Sequence, residues 1–193
     1  MSSAFVFPGG ALEPGEIPTE AAARELAEEA GITIDPAQLH YFAHWITPSV
    51  ERKRFGARFF VGQLPAGQTP AIDRHEVIDM TWVTPAQGLA RSDELRLPPP
   101  QIRTLLELAP CGSTADLIEL CRARAERPVA ILPRAKERAT RLTLLLPWDP
   151  DYHTGGIGDE LAVPADHPIA TGPSRFVLGE SGWQHIKASE DPE

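Results

Sequence analysis

A glycine-bounded loop followed by a glutamate-rich helix narrows the folds open to this chain. The stretch reads FVFPGGALEPGEIPTEAAARELAEEAGITID and covers residues 5–35. Thr19 is a suitable N-cap, alanines fill the middle, and Gly31 stands where a helix would stop. The pattern therefore predicts one helix that begins near Thr19 and ends at Gly31.

One face of this helix is crowded with carboxylates. At 100° per residue, Glu25, Glu28 and Glu29 fall within roughly a 100° arc, where like charges repel. Arg24 lies four residues before Glu28 and can pair with it, and Glu16 comes from the loop upstream. Several carboxylates that converge on one point are what Mg²⁺ or Mn²⁺ binds, so a divalent cation would offset the repulsion. The alternative is a solvated acidic helix face.

The fixed positions in and around the helix form a longer pattern. They are Gly10, Glu16, Arg24, Glu25, Leu26, Glu28, Glu29, Gly31 and Ile32. With these spacings the stretch resembles the Nudix box at every fixed position. The chain is thus similar to the Nudix hydrolases, which cleave the pyrophosphate of a nucleoside diphosphate linked to another moiety.

The resemblance implies a fold, a cofactor and a set of site residues. The expected fold is α+β, a Nudix α/β/α sandwich with a mixed sheet, and the expected cofactor is Mg²⁺ or Mn²⁺. By resemblance the metal ligands are Glu25, Glu28, Glu29 and, as an auxiliary ligand, Glu16. The catalytic residues would be Glu28, Glu29, Arg24, which orients a carboxylate, and Glu76, which precedes a predicted strand and would serve as a further ligand or a general base. The alternative for Glu76 is a plain surface glutamate.

Sequences outside the box indicate a branch of the family. HWITPSVERKRFGARFF, HEVIDMTWVTPAQGLA and LRLPPPQIRTLLEL resemble the peroxisomal coenzyme A diphosphatase-like Nudix proteins and their bacterial relatives. The likeness covers about the first 109 residues and, more loosely, the region after LPWDPDY. It implies that coenzyme A or an acyl derivative is cut to 3′,5′-ADP and 4′-phosphopantetheine.

A short basic cluster follows the first predicted strand. Arg54 and Arg58, with Arg52 and Lys53 beside them, are the candidate substrate-binding residues, since Arg suits bidentate phosphate contacts. The alternative is a strand edge guarded by charge.

Two other functions stay open from the residues. ADP-ribose or a nucleotide sugar shares the nucleotide pyrophosphate and is a second substrate class. A nucleotide-binding module that has kept the box but has weak catalysis is the third reading.

The rest of the chain predicts a group of strands, then two helices, then a second group of strands. Aromatic and β-branched runs predict strands at HYFAHWI, ARFFVGQL, VIDMTWV, VAILP, RLTLLLPW, SRFVL and WQHI, the last two as a hairpin. Proline-led LPPPQIRTLLELA and STADLIELCRARAERP predict helices. We expect residues 1–110 to form a Nudix domain and residues 111–193 to form an extension packed on its core.

Only seven residues precede PGG, so the sheet is expected to lack its first N-terminal strand or strands.

Between Trp148 and Pro173 the turn-rich sequence predicts an ordered, proline-pinned loop that packs on the domain or on a dimer partner. Trp45 and Trp82 are expected in the core, with stacking on an adenine as the alternative.

Charge and cysteine content limit the partners of the chain. The formal net charge of -9 disfavours nucleic acid and anionic membranes. Cys111 and Cys121 have no zinc-like or CxxC spacing and are expected to be reduced thiols in a cytoplasmic protein. A small nucleotide-type substrate is the expected partner, and a homodimer is compatible with the sequence.

Overall fold

The architecture of the chain is given by a computed structural model that describes residues 4–71, 79–136 and 141–190. The helices in these ranges are α1 (Pro18–Ala30), α2 (Pro85–Ala90), α3 (Pro99–Leu108), α4 (Thr114–Glu126) and α5 (Tyr152–Gly155). The strands are β1 (His40–Ile46), β2 (Gly56–Val61), β3 (Ala130–Ile131), β4 (Arg134–Lys136), β5 (Thr143–Leu145), β6 (Arg175–Leu178) and β7 (Trp183–Ile186).

The first sheet is mixed and joins two early strands, β1 and β2, to the later strand β3. Its strand order is β2-β1-β3 in the described residues, with β1 antiparallel to β2 and parallel to β3. The parallel pairing needs a long crossover, which the chain from Gly62 to Val129 supplies. The predicted α+β class with helices and a mixed sheet is confirmed.

A second sheet is formed by the last part of the chain. Its order is β4-β5-β6-β7, and every neighbouring pair is antiparallel. The predicted hairpin of the last two strands is confirmed. Asp149, whose side chain is fully buried, pairs with Arg175 at 2.8 Å and accepts a hydrogen bond from Ser174. This ion pair fixes the chain before α5 to β6.

The two sheets share one hydrophobic core. Phe42 and Trp45 of β1 lie in the same buried cluster as Ile102 of α3, Cys121 of α4 and Phe176 of β6. β3, from beyond residue 110, is hydrogen-bonded to β1. The division at residue 110 stays a prediction.

Most predicted elements are found, and three expectations are wrong. α1 begins at Pro18 with Ile17 as its N-cap, and the Glu20 carboxylate accepts a hydrogen bond from the Ile17 amide at 2.9 Å. Thr19 is therefore already inside the helix, because proline suits its first position. Residues 79–83 of the predicted strand VIDMTWV have no strand structure, and residues 77 and 78 lie outside the described ranges.

The third wrong expectation concerns Trp82. Trp45 is 4% exposed and lies in the core as expected, but Trp82 is 69% exposed. Composition alone placed Trp82 in a strand, and without that strand nothing brings the indole into the core. Residues 4–17 contain no strand, and the Phe5 amide donates to the Leu95 carbonyl at 3.0 Å.

Candidate metal centre

The local sequence forms and ends α1 so that its glutamates face the preceding loop. Gly31 closes the helix in the left-handed region at φ 64°, where its amide donates to Ala27 at 3.1 Å. Ala21, near the start of the helix, and Ala30, at its end, are buried. The side chains of Glu25 and Glu28 are 13% and 58% exposed.

Arg24 is the centre of the carboxylate group. Its Nε donates to Glu16 Oε1 at 3.0 Å, and its Nη1 donates to Glu25 Oε1 at 2.6 Å and to Glu28 Oε2 at 3.1 Å. Its Nη2 donates to Glu16 Oε2 at 3.1 Å and to the Ala11 carbonyl at 2.9 Å. The predicted pairing of Arg24 with Glu28 is confirmed, and one guanidinium holds three carboxylates of the box.

The glycine loop brings backbone close to the same carboxylates. The Gly9 amide donates to Glu29 Oε2 at 3.0 Å. A Cβ on Gly10 would lie 2.2 Å from Glu25 Oε1, so any side chain at this position would collide with that carboxylate. The Glu13 amide donates to Glu16 Oε2 at 2.9 Å and fixes the loop carboxylate. Gly10 therefore makes room for Glu25 beside the loop.

The charges of this cluster stabilise one another. The hydrogen bond from Arg24, with a smaller contribution from the Glu13 amide, lowers the pKa of Glu16 below its usual value. The hydrogen bonds to Glu16 and then Glu25 raise the pKa of Arg24. Both groups are therefore ionised at neutral pH.

The donor set suits a hard divalent cation, although three of its four carboxylates are turned toward Arg24. Four glutamates on one helix face and its adjoining loop are the oxygen ligands that Mg²⁺ and Mn²⁺ take. Over residues 4–71, 79–136 and 141–190, no group of three or more His, Cys, Asp or Glu side chains is arranged to hold a metal ion. Arg24 explains this, because its guanidinium occupies the point on which Glu16, Glu25 and Glu28 converge.

Glu28 is the carboxylate best able to turn to a cation. Its side chain is 58% exposed and makes one hydrogen bond to Arg24, whereas Glu16 makes two to Arg24 and one to the Glu13 amide. Exposed single ion pairs contribute little to stability, so such a rotation costs little.

Among the described residues, the candidates Arg54 and Arg58 make no hydrogen bond or ion pair with this cluster. Arg54 donates from Nη1 to Asp159 at 3.1 Å and from Nε to the Thr47 carbonyl at 3.3 Å. Arg58 lies on β2 opposite His44, whose pKa is lowered by burial and secondarily by the Arg58 charge. Glu76 lies outside the described residues.

Three contacts of the site were not foreseen from the sequence. They are the Ala11 carbonyl on Arg24, the Gly9 amide on Glu29, and Asp159 on Arg54. The first two come from backbone atoms, which carry no residue-type signal. The third joins residues 105 positions apart, and no spacing rule connects them.

Comparison of the chain with known proteins identifies one family. The family model described as the NUDIX domain matches residues 2–105, which is more than half of the chain. No curated protein and no solved structure matches the chain. None of the helices in the described ranges is long and apolar enough to cross a membrane.

Proposed function

The chain belongs to the Nudix hydrolases, enzymes that act on pyrophosphate bonds of nucleoside diphosphate-linked substrates, and we propose that its own substrate is coenzyme A or an acyl derivative. Nudix enzymes generally use divalent ions such as Mg²⁺ or Mn²⁺. The proposed reaction releases 3′,5′-ADP and a 4′-phosphopantetheine.

The observation that carries the proposed chemistry is the cluster of three box glutamates paired with Arg24, together with Glu29, which accepts from the Gly9 amide. We assign Glu25, Glu28 and Glu29 as metal ligands and Glu16 as an auxiliary ligand. When bound, the ion would polarise a phosphoryl oxygen and activate water for attack on the pyrophosphate. Arg24 would keep its hydrogen bonds to Glu16 and orient the ligands, since those bonds involve both Nε and Nη2. Glu28 and Glu29 would also be the catalytic carboxylates.

Residues outside the box support the choice of substrate. The motifs around HWITPSVERKRFGARFF and LRLPPPQIRTLLEL resemble the coenzyme A diphosphatase-like branch. The basic run at residues 52–54 and the nearby Arg58 would bind phosphates of the substrate in a chain whose net charge is -9. Glu76 is proposed to serve as a further metal ligand or a general base.

We also propose that the chain forms a homodimer. We propose further that residues 1–110 form the Nudix domain and that residues 111–193 form an extension packed on it. The extension is supported by α4, which lies against β1, and by β3, which pairs with β1.

A product assay tests the substrate. The purified chain is incubated with Mg²⁺ or Mn²⁺ and, separately, coenzyme A, acetyl coenzyme A, ADP-ribose and a nucleotide sugar, and the products are identified by mass spectrometry. We expect 3′,5′-ADP from the two coenzyme A substrates and slower cleavage of the others. Cleavage of ADP-ribose or the nucleotide sugar alone would contradict the proposed substrate and leave the reaction class in place.

A second function has one observation in its favour. Arg24 pairs with three of the box glutamates. If these ion pairs persist when the metal ion is present, the carboxylates are not available as ligands, and the chain would bind nucleotides with weak catalysis. Nucleotide binding measured by calorimetry together with no metal-dependent cleavage of any of the four substrates would select this function.

A further inference from the structure

The β1–β2 loop, residues 47–55, contains the basic run at residues 52–54 and is contacted by a distant part of the chain. Asp159 approaches it from residues 157–161, which we call the strap. The Asp159 amide donates to Ser49 Oγ at 2.7 Å, and its carboxylate pairs with Arg54 Nη1 at 3.1 Å. Both contacts are made to one short loop by one residue.

The strap is fixed at both ends, so this approach is built into the fold. The Ile157 amide donates to the Ala135 carbonyl of β4 at 2.6 Å. The Leu161 amide donates to the hydroxyl of Tyr152 at 2.9 Å, and Tyr152 is fully buried. A turn anchored on a strand and on a buried tyrosine delivers Asp159 to a defined place.

Gly158 allows the strap to come this close. Its backbone is in the left-handed region at φ 93°, and a Cβ there would lie 2.1 Å from Ser49 Oγ. A side chain at this position would be strained and would also collide with the loop. The close contact between strap and loop therefore depends on glycine here.

The loop is cationic even with Asp159 in place. Glu51, Arg52, Lys53 and Arg54 are exposed, and Asp159 neutralises the charge of Arg54. Lys53 lies 5.2 Å from the centre of the exposed Phe55 ring. Within the described residues no carboxylate pairs with Arg52 or Lys53, so the loop attracts anions locally in an acidic protein.

The geometry at Arg54 defines an anion position. Its Nε and Nη1 are used by Thr47 and Asp159, and the Asp159 carboxylate is a planar oxyanion of the kind that guanidinium groups bind interchangeably with phosphate. An exposed pair of this kind is weak. A dianionic phosphate attracted by two additional cations would displace it.

We propose that the Asp159 carboxylate stands on Arg54 where a phosphate group of the substrate binds, so that the strap and the substrate compete for the β1–β2 loop. Asp159 is then a specificity-determining residue. It weakens binding of nucleotides that have no phosphate group able to displace its carboxylate from Arg54. This inference rests on the proposed function for the identity of the ligand.

The test is the affinity of Asp159→Asn for 3′,5′-ADP, measured by calorimetry without hydrolysis. Removal of one negative charge from the anion position should tighten binding about threefold to tenfold, and the gain should shrink as salt is raised. Asp166→Asn is the matched control, because Asp166 is 72% exposed and pairs with Arg127 at 3.1 Å, against 66% and 3.1 Å for Asp159 and Arg54. The control should bind as the parent does.

Two further variants test whether the change in affinity arises from the contact between Asp159 and the β1–β2 loop. In an Arg54→Gln background, Asp159→Asn should have at most a small effect, as a double-mutant cycle measures. Ser49→Ala releases the strap from the loop and should tighten binding in the same direction as Asp159→Asn. Unchanged or weaker binding by Asp159→Asn, or an equal gain with Asp166→Asn, would overturn the proposal.

Failure of this inference is separable from failure of the proposed function. If coenzyme A is cleaved but Asp159→Asn binds 3′,5′-ADP as Asp166→Asn does, the competition is wrong and the enzyme assignment stands. If no substrate is cleaved but Asp159→Asn binds the probe more tightly, the anion position stands and the proposed reaction fails. A parent chain that does not bind the probe overturns the competition.

Discussion

Gly10 is the residue at which the shape of the loop matters most for the proposed metal centre. Gly10→Ala would place a Cβ 2.2 Å from Glu25 Oε1, and the flexible carboxylate would have to move. The Mg²⁺ concentration for half-maximal activity should rise about tenfold or more, as when groups that support metal ligands are changed. A titration of activity against Mg²⁺ measures it.

Gly9→Ala is the control for this prediction. A Cβ on Gly9 would have nothing within 4 Å, and its amide would still donate to Glu29. Its Mg²⁺ dependence should match that of the parent. Equal effects of the two alanines would show that loop flexibility, and not the Glu25 contact, controls metal binding.

His185 makes the stability of the folded chain depend on pH. The ring stacks on Phe176 at 4.2 Å, and neither nitrogen forms a hydrogen bond with a described residue. Burial, followed by the charge of Arg103, lowers its pKa from 6.5 to about 3, which the nearby Pro173 carbonyl opposes only in part. The neutral ring is therefore required in the folded state.

The direction of the pH dependence of stability follows from the lowered pKa of His185. The unfolded chain binds the proton first, so stability is full above pH 6.5 and is lost as the pH falls from 6.5 toward 3. The loss should be on the order of a few kcal/mol. Urea unfolding from pH 8 to pH 4 should show this slope in the parent and much less of it in His185→Phe. Equal slopes would contradict the assignment.

At the scale of elements, a buried ion triad joins α3 to α4 and β1. Glu107 pairs with Arg103 at 2.6 Å and with Arg124 at 3.0 Å, and both arginine side chains are less than 5% exposed. Arg124 also donates to the Phe42 carbonyl of β1 at 3.1 Å and lies over the Phe42 ring. The triad therefore couples the two helices α3 and α4 to strand β1.

Glu107→Gln should destabilise the fold while leaving its packing volume unchanged. Two arginines would remain buried without their carboxylate, and loss of one partner of such a pair costs about 3–5 kcal/mol. Chemical unfolding measures the difference. Glu94→Gln, which breaks an exposed pair with Arg91, should cost no more than about 1 kcal/mol. A similar small loss for Glu107→Gln would show that the arginines find other partners.

Helices and strands that are marked by their own residues were predictable from the sequence. Features that depend on contacts between residues far apart in the chain were not. α1 and β1 were found because glycine, proline and aromatic residues mark them directly. Residues 79–83 have strand-like composition but no strand, because pairing needs a partner that composition does not specify. The Arg24 to Glu28 pair follows from helix spacing, but Asp159 reaches Arg54 only through the folded strap.

At the scale of the whole molecule, the chain combines a negative net charge with two local features that we propose to act on an anionic substrate. The box glutamates are suited to a divalent cation, and the β1–β2 loop concentrates positive charge in a chain of net charge -9. The shared core and the pairing of β3 with β1 tie the last part of the chain to the sheet. The strap then brings that part to the basic loop.

The most direct measurement is the Mg²⁺-dependent rate of pyrophosphate cleavage by the parent, Glu28→Gln and Glu29→Gln, with the best substrate from the product assay. Each variant removes one proposed ligand charge while keeping the shape of the side chain. Glu119→Gln is the control, since Glu119 on α4 is exposed and its pair with Arg122 is long at 3.5 Å. We predict that the two box variants lose activity by a factor on the order of 10² or more with unchanged unfolding transitions, whereas Glu119→Gln keeps the parent rate. Parent-like rates in Glu28→Gln and Glu29→Gln would contradict the assignment of the box glutamates as the metal centre.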